Sequence, residues 1–111
     1  MRQIHQEILY LSCEVTTGEE VKGMIEKTLQ HFERLDFAFN NAANDEVISA
    51  YTAEFMEEDY DRLIGVTLKS VWLCMKYELQ VMSEQGSGVI VNTSSVDALF
   101  MRCWHGCLFS W

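Results

Sequence analysis

The sequence contains no proline, so nothing in its 111 residues marks a proline-rich linker between domains. It also lacks any apolar run close to the ~20 residues that a helix needs to cross a bilayer. The first residues, MRQIHQEIL, contain no apolar stretch of the kind that forms the centre of a secretory signal peptide. The sequence therefore predicts one cytoplasmic domain with no membrane segment.

Basic residues are scarce, since eight Lys and Arg stand against 17 Asp and Glu and the formal net charge is −9. A nucleic-acid surface needs clustered positive charge, so we expect no nucleic-acid partner. The acidic residues concentrate in EFMEEDYD, residues 54–61. We interpret this cluster as the first turn of a helix, where carboxylates interact favourably with the positive end of the helix dipole, and not as a metal site.

The four cysteines do not form a convincing metal-binding pattern. Cys13 and Cys74 lie among apolar residues and are predicted to be buried thiols. Cys103 and Cys107 flank a histidine in CWHGC, but structural zinc usually takes four ligands and no second ligand pair is present. We predict no metal, and the cysteines do not imply an oxidising compartment.

Three short apolar runs, residues 8–15, 37–41 and 89–91, alternate with two helical patterns. The first helix is predicted to follow a capping box at Thr17/Glu20 or Thr16/Glu19 and to end near Arg34. Its apolar face repeats at intervals of three and four residues and consists of Val21, Met24, Ile25, Thr28, Leu29 and Phe32. The second helix is predicted over residues 53–83 with a bend near Gly65, and its apolar stripe consists of Leu63, Val66, Ser70, Val71, Cys74, Tyr77 and Val81.

The order strand, helix, strand, helix, strand predicts two successive crossover connections and therefore a parallel sheet. Ligands of open parallel sheets bind beyond the carboxyl ends of the strands. All three predicted strands end in polar residues, which favours a binding crevice there, although polar residues also end strands simply as turns. These strand ends are Glu14-Val15-Thr16, Asn40-Asn41 and residues 92–95.

Four segments carry a family resemblance: CEVTTGEEV, RLDFAFNNAA, YDRLIGVTLKSVWLCMKYELQVM and GSGVIVNTSSV, in this order. Together they resemble the central part of a short-chain dehydrogenase/reductase, from about Ile8 to Leu99, and LDFAFNNAA paired with GVIVNTSSV is the specific part. The resemblance implies an α/β fold with a partial Rossmann-like parallel sheet of about three strands and two crossover helices. It implies a single partial NAD(P)-binding domain over residues 1–111. After Leu99 the sequence has bulky residues but no clear period, which predicts an irregular tail over residues 100–111.

The resemblance also implies a cofactor site for NAD or NADP. Glu14 stands where the family has an acid that caps the adenine amino group, and Val15 would pack on the adenine ring. The motif Asn40, Asn41, Ala42 and Ala43 would brace the sheet and border the cofactor ribose, or act as a brace alone. Thr93 is also predicted to bind the cofactor. Ala43 replaces the usual glycine, which would be unfavourable if the position required a positive φ.

Two residues match the family's catalytic positions. Ser95 aligns with the serine that hydrogen-bonds the substrate oxygen, and Ser94 is the competing assignment. Thr67 stands where the family has an asparagine that holds a water in a proton relay. The substrate implied by the resemblance is a small alcohol or ketone, and neither its identity nor the choice between NAD and NADP can be read from the sequence.

Several family features are missing from the sequence. It has no Gly-rich turn of the kind that seats a pyrophosphate, no tyrosine after Tyr77 and no lysine after Lys76. In the family a tyrosine beyond the serine is the general acid/base, and a lysine four residues later lowers the pKa of that tyrosine by its charge. We therefore expect a truncated, inactive fragment of an oxidoreductase. The alternative is a non-catalytic interaction module that forms a homo-oligomer through helix 53–83.

Overall fold

The computed structural model describes residues 7–43 and 52–94. Ser95, the predicted tail 100–111 and CWHGC lie outside these residues. Two strands and three α-helices occur in the described part, and a short 3₁₀ turn and a π-helical turn complete it. In chain order these are α1 (Gly18–Phe32), β1 (Phe37–Asn40), the 3₁₀ turn (Thr52–Glu54), α2 (Glu57–Ile64), the π-helical turn (Gly65–Lys69), α3 (Ser70–Gln85) and β2 (Val89–Asn92).

Helix α1 follows the predicted apolar period, and it buries Val21 and Ile25. It ends at Phe32, where Glu33 takes a left-handed conformation with φ 67° and donates its backbone N–H to Leu29 O. The predicted capping box is wrong. Thr17 is the N-cap residue but makes no side-chain cap bond, and the Glu20 carboxylate accepts the backbone N–H of Glu14 instead.

The second predicted helix is divided into α2, the π-helical turn and α3. The π-helical turn begins at Gly65, the position of the predicted bend. Glu57, Glu58 and Asp59 occupy the first turn of α2, as expected for acidic residues at a helix N-terminus. Helix α3 ends where Gly86 takes the left-handed conformation that favours glycine, with φ 78°.

The two strands pair in parallel through a crossover that contains α2 and α3. Their register places Phe37 opposite Val89 and Asn40 opposite Asn92. The α/β fold class with a parallel sheet is confirmed, but the sheet has two strands in the described part and not about three. Residues 8–15, predicted as a strand, have no ladder partner among the described strands, and a strand exists only where a neighbour accepts and donates its backbone hydrogen bonds.

The core lies between α1 and α3. Val21 packs with Leu73 and Cys74. Partly buried residues from the segment before α1 and from both helices pack against this cluster: Cys13, Val15, Met24 and Tyr77. The predicted stripe of α3 is right at Ser70 and Cys74, which are buried, but Leu73, Glu78 and Met82 are buried as well. The buried surface of α3 is wider than one stripe because the helix contacts both α1 and the sheet.

One face of the sheet is exposed in the described part of the chain. Phe37, Phe39, Val89 and Val91 form two register pairs, and each side chain is more than half exposed. The lack of alternation in FAF and VIV is typical of strands covered on both faces. In the described residues helix α3 covers one face only, so the opposite apolar face is open.

Candidate functional site

Two side-chain hydrogen bonds connect the carboxyl ends of β1 and β2. Asn40 Nδ2 donates to Asn92 Oδ1 at 3.0 Å, and Thr93 Oγ1 donates to Asn41 Oδ1 at 2.6 Å. Between them the backbone N–H of Thr93 donates to Asn40 O at 3.0 Å. The parallel ladder is therefore continued by side chains at the end of the sheet where ligands of such folds bind.

A buried carboxylate completes this arrangement. Asn40 Nδ2 also donates to Glu78 Oε2 at 3.0 Å, and Asn92 Nδ2 donates to Met75 Sδ at 3.3 Å. Glu78 is only 3% exposed. Burial raises the pKa of Glu78, and the hydrogen bond from Asn40 partly opposes that rise. The sequence interpretation missed Glu78, whose position four residues after Cys74 on the same helix face was the available signal.

A depression of about 160 Å³ lies beside the strand ends. It brings together four of the residues predicted to bind a cofactor, namely Val15, Asn40, Asn41 and Ala42. Residues from α1, β1 and α3 form the rest of its wall: Met24, Phe39, Ser70, Val71 and Cys74. The depression is smaller than the roughly 300 Å³ at which ligand pockets begin, so it is suited to one part of a ligand.

Glu14 lies next to the depression but does not line it. Its Oε1 accepts the backbone N–H of Thr16 at 3.2 Å and the Thr16 hydroxyl at 2.9 Å. Its backbone carbonyl accepts the N–H of Thr17 at 3.1 Å. The Glu14 carboxylate thus stabilises the turn into α1, whereas the neighbouring Val15 reaches the core and the depression.

The remaining predicted site residues are spread more widely. Ala43 is exposed and does not have a positive φ, so its methyl group causes no strain of that kind. Thr67 lies in the π-helical turn, and its hydroxyl donates to Leu63 O at 2.6 Å. Such turns are frequent at functional sites, but this donor is already used within the helix. Ser94 is exposed two residues beyond β2, and the predicted catalytic Ser95 lies outside the described residues.

Within residues 7–43 and 52–94, no group of three or more His, Cys, Asp or Glu side chains is arranged to hold a metal ion. None of the described helices combines the length and the apolar character that a membrane crossing requires.

The family model described as enoyl-(acyl carrier protein) reductase matches residues 1–105. The chain belongs to the short-chain dehydrogenase/reductase family. Among curated relatives, it is 42% identical over 88 residues to a short-chain dehydrogenase/reductase, astE, of Aspergillus oryzae, covering 78% of this chain and 33% of the relative. It is 37% identical over 98 residues to a 2,5-dichloro-2,5-cyclohexadiene-1,4-diol dehydrogenase of Sphingobium indicum, covering 87% of this chain and 39% of the relative.

Solved structures of this dehydrogenase/reductase family share the fold. The crystal structure of levodione reductase superposes with a TM-score of 0.83 at 30% identity, covering 92% of this chain and 38% of that one. ElxO with NADP bound superposes with a TM-score of 0.75 at 32% identity, covering 83% of this chain and 37% of that one. NAD⁺-bound xylitol dehydrogenase superposes with a TM-score of 0.75 at 28% identity, covering 81% of this chain and 34% of that one. The chain therefore spans between a third and two fifths of the length of these relatives.

Proposed function

We propose that the chain forms part of the cofactor-binding wall of an NAD(P)-dependent oxidoreductase that interconverts an alcohol and a ketone by hydride transfer. The observation that carries this proposal is the joint position of Val15, Asn40, Asn41 and Ala42 around one depression at the carboxyl end of a parallel sheet. That is the position at which open parallel sheets bind their ligands.

The residues present fit a dinucleotide in part. An apolar wall with a few polar groups is typical of a site for a small organic ligand, and the strand-end amides supply the polar groups here. Because the depression has a volume of about 160 Å³, it would accommodate only a portion of a dinucleotide. Val15 and Ala42 would contact the ligand through apolar surface, and Asn41 would border it.

The proposed cofactor class is supported by two structural relatives, one with NADP bound and one with NAD⁺ bound. The names of two relatives, a diol dehydrogenase and levodione reductase, support an alcohol or ketone substrate. Because the sequence has no tyrosine after Tyr77 and no lysine after Lys76, we assign to this chain a contribution to cofactor binding and not turnover by itself. Hydride transfer would require the acid/base pair that the sequence lacks.

Calorimetric titration of the chain with NAD and with NADP tests the proposal. The variant Ala42→Leu places a larger side chain at the depression and should weaken binding, whereas Ala53→Leu, at an exposed alanine outside the depression, should not. Binding of either cofactor that Ala42→Leu weakens would support the site. No heat of binding at millimolar cofactor, or equal binding by both variants, would contradict it.

A second candidate function, self-association, is favoured by an exposed apolar row that begins in the π-helical turn and continues along α3. Leu68 and Trp72 are 56% and 57% exposed, and Leu79 is 47% exposed. With the half-buried Met75 they follow a spacing of four, three and four residues, which is the spacing of a helix-pairing seam. The proposed occupant is a second copy of the chain, because two identical seams related by a two-fold axis match each other.

Sedimentation velocity over a range of concentrations tests this second function. The wild-type chain should form a dimer, and Trp72→Lys should shift the equilibrium to the monomer. Phe32→Lys is the matched control, since it introduces the same charge at an exposed aromatic residue on α1. A wild-type chain that sediments as a monomer at every concentration would refute self-association through α3.

A further inference from the structure

Glu78 is buried beneath the strand ends, with only 3% of its surface exposed, and it does not line the depression. Its carboxylate accepts a hydrogen bond from Asn40, whose amide also contacts Asn92 on the neighbouring strand. We propose that Glu78 is a positioning residue that fixes the orientation of the Asn40 amide and thereby aligns the ends of the two strands. The consequence for cofactor affinity rests on the proposed function, whereas the orientation of the amide can be tested without it.

Burial of a glutamate at this place is not explained by stability. Glutamate is almost never fully buried unless it is paired, and taking its charge out of water is unfavourable. An apolar residue would fill this buried position at least as well, since Leu73 and Met82 on the same helix are buried too. The feature that distinguishes Glu78 from an apolar residue is its ability to accept a hydrogen bond from Asn40 Nδ2 at 3.0 Å.

The chemistry of the two groups makes this contact directional. An asparagine amide has a donor end and an acceptor end, whereas an ionised carboxylate accepts only. In its ionised form Glu78 therefore requires the Nδ2 end of Asn40 to face it. The second hydrogen of that nitrogen then donates to Asn92 Oδ1, which turns Asn92 Nδ2 toward Met75 Sδ at 3.3 Å. One acceptor on α3 thus determines the orientation of two amides on two strands.

The aligned amides lie next to the proposed cofactor position. Asn40 and Asn92 are register partners, and the next pair along, Asn41 and Thr93, forms the second hydrogen bond between the strand ends. Asn40 and Asn41 both line the depression, but Glu78 does not. Glu78 therefore acts through Asn40 and does not itself contact the ligand.

Side-chain amide resonances of the ¹⁵N-labelled chain test the proposal in the absence of any cofactor. In the wild type the Nδ2 hydrogens of Asn40 should exchange with solvent about tenfold more slowly than those of the exposed Asn41, because Asn40 Nδ2 is held by Glu78 and Asn92. Equal exchange rates at Asn40 and Asn41 would overturn the proposal without any variant.

Two variants separate orientation from simple packing. Glu78→Gln keeps the shape and can still make one hydrogen bond to Asn40, but a glutamine both donates and accepts, so the Asn40 amide is no longer restricted to one orientation. We expect a second or broadened set of Asn40 side-chain amide signals in Glu78→Gln, and loss of slow exchange in Glu78→Leu. Glu84→Gln, at an exposed position of the same helix, should leave these signals unchanged.

If the proposed function holds, Glu78→Gln should also weaken cofactor binding about fivefold, the equivalent of one net hydrogen bond. A wild-type chain that binds no cofactor would refute the proposed function and leave the amide test intact. A Glu78→Gln chain whose Asn40 signals and exchange rates match those of the wild type would overturn the positioning role, because a merely structural hydrogen bond would survive that substitution.

Discussion

The side-chain amide of Gln85 makes a hydrogen bond to each of the two backbone polar groups of Leu35. Leu35 N donates to Gln85 Oε1 at 3.0 Å, and Gln85 Nε2 donates to Leu35 O at 2.8 Å. The glutamine on the last turn of α3 thus replaces a strand neighbour just before β1 begins. The contact joins two parts of the chain that are 50 residues apart in sequence.

Replacement of Gln85 by leucine should lower the free energy of unfolding by about 1–3 kcal/mol, because two partly buried backbone groups lose their partners. Urea unfolding monitored by circular dichroism measures this change. Gln80→Leu is the matched control at an exposed position of the same helix and should change the free energy of unfolding by less than about 0.5 kcal/mol. Equal effects of the two substitutions would contradict the role of the Leu35 contact.

Replacement of Glu33 by glycine should stabilise the protein by about 1 kcal/mol, since Glu33 takes a left-handed conformation that L-residues other than glycine disfavour. Gly86 is the converse case, with φ 78° and no atom within 4 Å of an added Cβ. Gly86→Ala should therefore destabilise by a similar amount through the backbone alone. Thermal unfolding of both variants measures the two shifts, which should have opposite signs.

Replacement of Gly88 by alanine should destabilise the protein by about 1–3 kcal/mol through overpacking. A Cβ at this position would lie 2.3 Å from Met82 Cγ, and Met82 is buried. Gly23→Ala adds the same methyl group to the interior of α1 with no atom within 4 Å, and it should stabilise by up to about 1 kcal/mol. A Gly88→Ala variant as stable as the wild type in urea would contradict this packing.

Glu78 should make stability fall as the pH rises. Because burial raises the pKa of Glu78, the folded chain binds a proton more readily than the unfolded chain. Its contribution to the free energy of unfolding is greatest below the ordinary glutamate value of 4.5 and is lost as the pH rises through the raised pKa of the folded state. Subtracting urea unfolding data for Glu78→Gln from those of the wild type at several pH values should isolate this slope. A difference independent of pH would contradict the raised pKa.

Cys74 should react with alkylating reagents only when the chain unfolds. Burial raises the pKa of the Cys74 thiol to about 11, and nearby Glu78 adds to the rise. At pH 8 only about a thousandth of this thiol would be ionised, and the thiolate is the reacting species. Iodoacetamide labelling followed by peptide mass spectrometry should show Cys74 protected in buffer and labelled in urea. Rapid labelling of Cys74 in the folded chain would contradict its burial.

Elements defined by local pattern were predicted from the sequence. The period of Val21 and Ile25, the apolar runs that become β1 and β2, and the bend at Gly65 depend on neighbours within a few residues. Polar side chains at two strand ends also pointed to the site. These signals are local, and local sequence determines them directly.

Contacts between distant residues could not be predicted in this way. The Gln85 bond to Leu35 joins α3 to the residues just before β1, and the Glu78 bond to Asn40 joins α3 to β1, across 50 and 38 residues. The segment 8–15 has the composition of a strand, but strand formation also requires a neighbouring strand. The capping-box prediction was wrong because the Glu20 carboxylate accepts the backbone N–H of Glu14 in the turn before α1. The spacing of Thr17 and Glu20 does not reveal this contact.

The open face formed by Phe37, Phe39, Val89 and Val91 also affects how the chain behaves in the test tube. Water in contact with these side chains favours association, and this driving force weakens on cooling and strengthens in sulfate or phosphate. Clouding of a concentrated sample should therefore reverse in the cold and be promoted by ammonium sulfate, so cold, low-salt buffers are the conditions in which to study the isolated chain.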